Sequence, residues 1–173
     1  MPNSCLPSVK RGILCAMEQT MTKVKPNISI RLIVLLVITV MMYLVIFSMS
    51  AQDGETSGGL SEKLTALIVS RDSASFSAMH HLVRKSAHVC EFALLFIMWF
   101  GCMDEAFSVL SAKLRVGVPY AMTFASAAVD ELHQLTVPGR SGQVTDVMID
   151  MLGVSVLALA LLWYYRRHPR SAE

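Results

Sequence analysis

Charge is scarce in this chain, and cysteine scarcer. Asp, Glu, Lys and Arg make up 16% of the 173 residues, against roughly 25% in soluble domains. Hydrophobic residues make up 54% and mean hydropathy is +0.52. A soluble domain of this size has no means of burying so much apolar surface, whereas a bilayer does. A net charge of +2, with no one-sided basic stripe, excludes nucleic acid as a partner. The four cysteines imply no disulfide framework: Cys5 and Cys15 precede the first apolar run, and Cys90 and Cys102 lie inside the second. There is no CxxC and no HExxH, and His80 and His81 are adjacent rather than four apart, so no metal is expected. His88, Glu91, Asp146 and Asp150 are the nitrogen and oxygen ligands that would serve one. No inverted repeat is evident, no cofactor signature is legible, and the twelve methionines read as apolar filler.

What the chain does have is four apolar runs. Residues 1–27 carry Pro2, Pro7 and Pro26 and are expected to be a disordered tail, with Met17 and Met21 as candidate starts beside Met1. Leu32 to Met49 then gives 18 apolar-rich residues, near the length that crosses about 30 Å of hydrocarbon. The run is longer than the core of a signal peptide, so a retained anchor is expected despite the small residues at Ser48, Ser50 and Ala51. Residues 50–59 read as a polar loop. Beyond it, Leu60, Leu64, Leu67 and Ile68 form the stripe of a short amphipathic helix, expected to lie on the membrane surface.

The second and third runs, Val89 to Met103 and Val116 to Val129, are too short to span alone. They must be extended through charged residues. The fourth ends in Trp163, Tyr164 and Tyr165 followed by Arg166 and Arg167, an interfacial belt and a cationic stop. The expected fold is therefore all-α and polytopic. It is a bundle of four transmembrane helices (about 31–49, 83–103, 116–134 and 146–165) with one short interfacial helix, inside a membrane domain at 28–167 and ahead of a tail at 168–173.

Orientation follows from the bases. Lys10, Arg11, Lys23, Lys25 and Arg31, the loop bases Lys113 and Arg115, and Arg166, Arg167 and Arg170 share one side, ten of the fifteen. That side is expected to be cytoplasmic, with both termini inside the plasma membrane.

Extending the short spans has a chemical consequence. The second enters from outside through Arg84, Lys85, His88 and Glu91; the third exits through Asp130, Glu131, His133 and Gln134; the fourth enters through Asp146 and Asp150. No ionisable group is expected at the inner ends of these helices. Ionisable groups at this depth face a bundle interior or a wet cavity, so three helices with one bias predict one shared site. At about 100° per residue, His81, Arg84, Lys85, His88 and Glu91 share a face, as do Asp130 with Gln134 and Asp146 with Asp150. Gly153 continues the last face and would admit a close neighbour. Val137-Pro138-Gly139-Arg140 suits a type II turn that would hold Arg140 over the mouth of the bundle. Glu91, Asp130, Glu131, Asp146 and Asp150 outnumber Arg84, Lys85 and Arg140. At least one carboxyl is therefore expected to have a raised pKa, with a shared proton for acid–base work, a bound cation or a cationic ligand as the three outcomes that fit, although ion pairs that merely hold helices together are an open alternative.

The segments RKSAHVCEF at 84–92, DELHQLTVPGR at 130–140 and DVMIDMLG at 146–153 resemble the signature segments of the VanZ-like membrane proteins, in the same order and spacing. The resemblance covers about residues 30–165. It groups Arg84, Lys85, His88, Glu91, Asp130, Glu131, Gln134, Pro138, Gly139, Arg140, Asp146 and Asp150. It also implies a bacterial envelope protein with a link to resistance against teicoplanin-type glycopeptides, while leaving the reaction open.

Two functions are expected from these residues. In one, the protein is an enzyme acting on a membrane lipid or lipid-linked cell-wall precursor. Arg84, Lys85, Gln134 and Arg140 hold the substrate, and His88 works with Glu91, Asp130, Glu131, Asp146 or Asp150 in acid–base steps. In the other, it is a non-enzymatic factor that binds a lipid or lipid-anchored antibiotic, or serves another membrane protein. A transporter is less favoured, because the inner halves of the spans offer almost no polar path.

Overall fold

A computed structural model describes residues 26–51, 54–138 and 142–168, with side chains left aside at 54–60. Among the described residues every regular element is helical: α1 (Ile30–Ser50), α2 (Gly54–Ile68), α3 (Phe76–Ala106), α4 (Ala112–Gln134) and α5 (Val144–Arg167). Three of them, α1, α3 and α5, are long and apolar enough to cross a membrane. Helix α4, with 23 residues, matches them in length but carries Lys113, Arg115, Asp130 and Glu131.

Helix α1 begins where Ser29 caps it. Its Oγ accepts from the Leu32 N–H at 3.1 Å and donates to Glu105 at 2.8 Å, which fixes the start of α1 against the end of α3. Leu32, Thr39, Ile46 and Ser50 form its one buried stripe, while Ile33, Val37, Val40, Met41 and Leu44 are about half exposed or more. That outer face has lipid as its natural solvent. Helix α3, at 31 residues, is about 46 Å long at 1.5 Å per residue.

Helices α3, α4 and α5 pack on one another, with α1 and α2 both against α3. The core between them is Ile46, Phe92, Leu95, Phe96, Val116, Ala127, Val147, Met151, Val154 and Ala158. Gly153 marks the closest approach of α5 to α3, since a Cβ there would lie 2.7 Å from Val89 Cγ1. On α4 the buried residues are Arg115, Val116, Pro119, Thr123, Ala127, Asp130 and Gln134, a single stripe. Pro119 has no N–H to offer the Arg115 carbonyl, and Thr123 Oγ1 donates to the Pro119 carbonyl at 2.9 Å. The most polar of the long helices thus turns its polar groups inward.

Two expectations are corrected. Residues 50–59 are not loop throughout, because α2 already begins at Gly54. Further along α2, Leu64, Leu67 and Ile68 are all substantially exposed, so its apolar stripe points away from the rest of the protein.

The second correction concerns the end of the bundle where no buried ionisable group is expected. Arg115 is helical, not a loop residue, and only 4% exposed. Its guanidinium pairs with Asp104 and sits 4.6 Å from the centre of the Tyr165 ring, while the Tyr165 hydroxyl donates to Asp104 Oδ1 at 3.2 Å. The connection between α3 and α4 spans only residues 107–111, so Asp104 and Arg115 fold back on each other. The long stem and planar head of Arg then let it be buried with its charge paired.

Candidate functional site

Turns two to four of α3, the first two turns of α5 and the last turn of α4 meet at the end of the bundle opposite Arg115. Between them lies a cavity of about 420 Å³ lined by His81, Arg84, Lys85, His88, Glu131, Gln134, Gln143, Asp146, Ile149 and Asp150. Helical periodicity puts them there. His81, Arg84, Lys85 and His88 occupy one face of α3 over two turns, Glu131 and Gln134 close α4, and Asp146, Ile149 and Asp150 line one face of α5.

Polar contacts organise the walls. Lys85 Nζ reaches Asp146 Oδ1 at 2.7 Å and ties α3 to α5. His88 Nδ1 lies 3.6 Å from Glu91 Oε2. Glu131 Oε2 accepts from the Gln143 N–H at 2.9 Å, which fixes the start of α5 against the end of α4. Gly142 makes that junction possible, since a Cβ on it would come within 2.3 Å of the Glu131 carbonyl oxygen. Behind the cavity, Asp130 Oδ2 accepts from Gln134 Nε2 and from Ser50 Oγ, each at 2.8 Å, so the end of α1 joins the same network. Asp130 Oδ1 is buried without a hydrogen bond.

Of the residues singled out in the sequence, Arg84, Lys85, His88, Glu131, Gln134, Asp146 and Asp150 share the cavity. Glu91 joins through His88, and Asp130 through Gln134. His133 is turned aside, with its ring stacked on Phe47 at 4.4 Å. Pro138 is exposed, and Gly139 and Arg140, the rest of the expected turn, lie outside the described residues. Among the described residues no group of three or more His, Cys, Asp or Glu is placed to hold a metal ion.

Sequence reasoning missed Gln143 and Ser50. Gln143 is one residue ahead of α5 and carries no charge to flag it. Ser50 closes the apolar run of α1 and looks like an interfacial small residue, although it is fully buried against Asp130.

A family model described as VanZ/LLP1 matches residues 33–165, a stretch that includes every cavity-lining residue. Neither the curated proteins nor the solved structures gave a match to the chain. With a match over most of its length, and three helices of membrane-crossing length and hydropathy, the chain belongs to the VanZ/LLP1 family and is a membrane protein.

Proposed function

We propose that the chain crosses the plasma membrane four times, through α1, α3, α4 and α5, with both termini inside and the cavity at the outer headgroup level. There it holds the anionic head of a lipid or lipid-linked cell-wall precursor. One observation carries this reading: a charged cavity is walled by turns whose other faces are apolar and exposed. Leu132, Leu135, Val144, Met148 and Leu152 are each more than 60% exposed, on the same turns of α4 and α5 that carry Glu131, Gln134, Asp146 and Asp150. A ligand that satisfies both surfaces is amphiphilic, its head among the charges and its tails along the apolar exterior. The outward stripe of α2 fits a helix lying on the same interface.

Within the cavity, Arg84 supplies a planar fork suited to phosphate or carboxylate. His88 with Glu91 is the acid–base pair, because a carboxylate beside one ring nitrogen fixes the tautomer and leaves the other for proton transfer. The assay is turnover of polyprenyl-phosphate and phospholipid substrates by the purified protein in lipid, with His88→Ala alongside. Product formation that falls at least 100-fold in the variant is the expected result. Absence of product from every such lipid, with His88→Ala leaving the cellular phenotype intact, refutes the enzyme.

A second reading rests on the lining itself. No Ser, Thr, Cys or Tyr side chain lines the described cavity, which favours a non-covalent binder of a lipid head or of a lipid-tailed glycopeptide of the teicoplanin type. Saturable binding without product, weakened by Arg84→Ala, is its expected signature.

Transport is not favoured, even with Arg115 buried at the opposite end. Phe92, Leu95, Phe96 and Val154, each 1% exposed or less, close the bundle between the two polar clusters.

A further inference from the structure

Lys85 and Asp146 satisfy each other at 2.7 Å. Two other charged residues of the same cavity do not. Among the described contacts, Arg84 and Asp150 line it without a hydrogen bond or an ion pair. Asp150 is the more telling. Its residue is 4% exposed, its carboxyl borders the cavity, and the other acids on the lining are Glu131 and Asp146. A carboxylate buried without a donor costs several kcal/mol until it takes up a proton or a cationic group supplies the missing charge. An anionic head alone would satisfy Arg84 and leave Asp150 stranded, facing one more negative group.

From this we infer that the ligand's head is zwitterionic: Arg84 receives its phosphate and Asp150 its protonated primary amine. The inference rests on the headgroup reading above and adds the amine to it. The spacing fits a short linker. Asp150 lies four residues beyond Asp146 on α5, about 6 Å deeper at 1.5 Å per residue, while Arg84 neighbours Lys85 at the level of the ion pair. An aminoalkyl phosphate spans such a gap. The cavity, at about 420 Å³, lies within the roughly 300–1,000 Å³ of small-ligand sites. His88, the cavity's other potential cation on this level, is already beside Glu91 at 3.6 Å. A divalent cation is a poorer occupant, since no group of three possible ligands gathers among the described residues.

Three probes separate the possibilities with the full-length protein in detergent or nanodiscs of choline lipid: an aminoethyl phospholipid, its N-acetyl derivative with the same chains, and water-soluble aminoethyl phosphate. The expected result is at least tenfold tighter binding of the amine-bearing lipid than of its N-acetyl form. Asp150→Asn should erase that preference while phosphate-dependent binding persists, and Arg84→Gln should weaken both lipids. Asp150→Ser serves in its place should the Asn variant not fold. Competition by the soluble compound at similar concentration would mean that the head is read without the tails; failure to compete would mean that a lipid is required, and the amine preference stands in either case. Equal binding of the two lipids to the unaltered protein overturns the amine assignment alone, as does a preference that survives at Asp150→Asn. No binding of either lipid, with no effect of Arg84→Gln, overturns the headgroup reading as well.

Discussion

The contact of α5 with α3 at Gly153 offers the sharpest test of the architecture, because it holds the cavity walls in register. A Cβ at Gly153 would lie 2.7 Å from Val89 Cγ1, 3.5 Å from the Val89 carbonyl oxygen and 3.8 Å from Ala93 Cβ. Only the first distance is prohibitive. The obstructing methyl belongs to a β-branched side chain, which has one strongly preferred rotamer in a helix and cannot swing away. Gly153→Ala should therefore cost about 1–3 kcal/mol through the clash, the usual range for an extra methyl in a filled interior, less up to about 1 kcal/mol gained in helix propensity. Val89→Ala removes the obstruction and loses up to about 1.6 kcal/mol of buried methyl groups, less in lipid, where helix association rests on van der Waals contact. The double variant should cost little more than Val89→Ala alone, a coupling of about 1 kcal/mol or more. Reversible unfolding of the four proteins in bicelles measures the cycle. Strict additivity of the two changes, within about 0.5 kcal/mol, refutes the close approach.

Further outcomes follow from other contacts. Removing one partner of a buried ion pair costs about 3–5 kcal/mol; Arg115→Ala should fall at the lower end, because the Asp104 side chain keeps 26% exposure. Arg115→Met combined with Asp104→Leu should recover most of that loss, and a denaturation series that shows no recovery removes the pair from the account. Lys85→Ala should change stability by about 1 kcal/mol or less, since the Lys85 and Asp146 side chains are 46% and 25% exposed. The same variant should weaken lipid-head binding measurably; a large drop in Tm with unchanged binding reverses the assignment. In a cysteine-free background, Gln143→Cys should react with an impermeant maleimide in intact cells and Lys113→Cys only after lysis. The opposite pattern inverts the topology.

Much of the site was legible because charge in a short apolar run has few places to go. Extending Val89–Met103 and Val116–Val129 to spanning length forces Lys85, His88, Asp130 and Glu131 toward a shared interior, and periodicity then aligns Asp146 with Asp150. Arg115 escaped the same logic. It sits beside Lys113 at a run's edge, where a loop base and a buried base look alike until the partner Asp104 is known to fold back on it. Ser50 and Gln143 are neutral, so neither desolvation nor repulsion signals them; their roles come from the approach of α1 and of the α5 start, which one chain's spacing does not encode. Residues 54–59 read as loop because glycine counts against a helix in sequence, whereas packing of α2 as a whole against α3 favours one.

The unusual length of α3 reaches beyond its own packing. Lys85 already pairs with the first turn of α5 and His81 still lines the cavity, so residues 76–80 extend about 7.5 Å beyond it. That projecting end carries α2 alongside it, with Ser61 Oγ and His80 Nε2 2.8 Å apart. On the proposed topology α2 lies at the interface, and this end of α3 would then act as a depth gauge. A thicker bilayer draws the cavity down into hydrocarbon and a thinner one lifts it toward water, at a cost of fractions of a kcal/mol per ångström. Chain length and fluidity of the surrounding lipid should thereby tune how readily the ionic pocket meets the proposed lipid head.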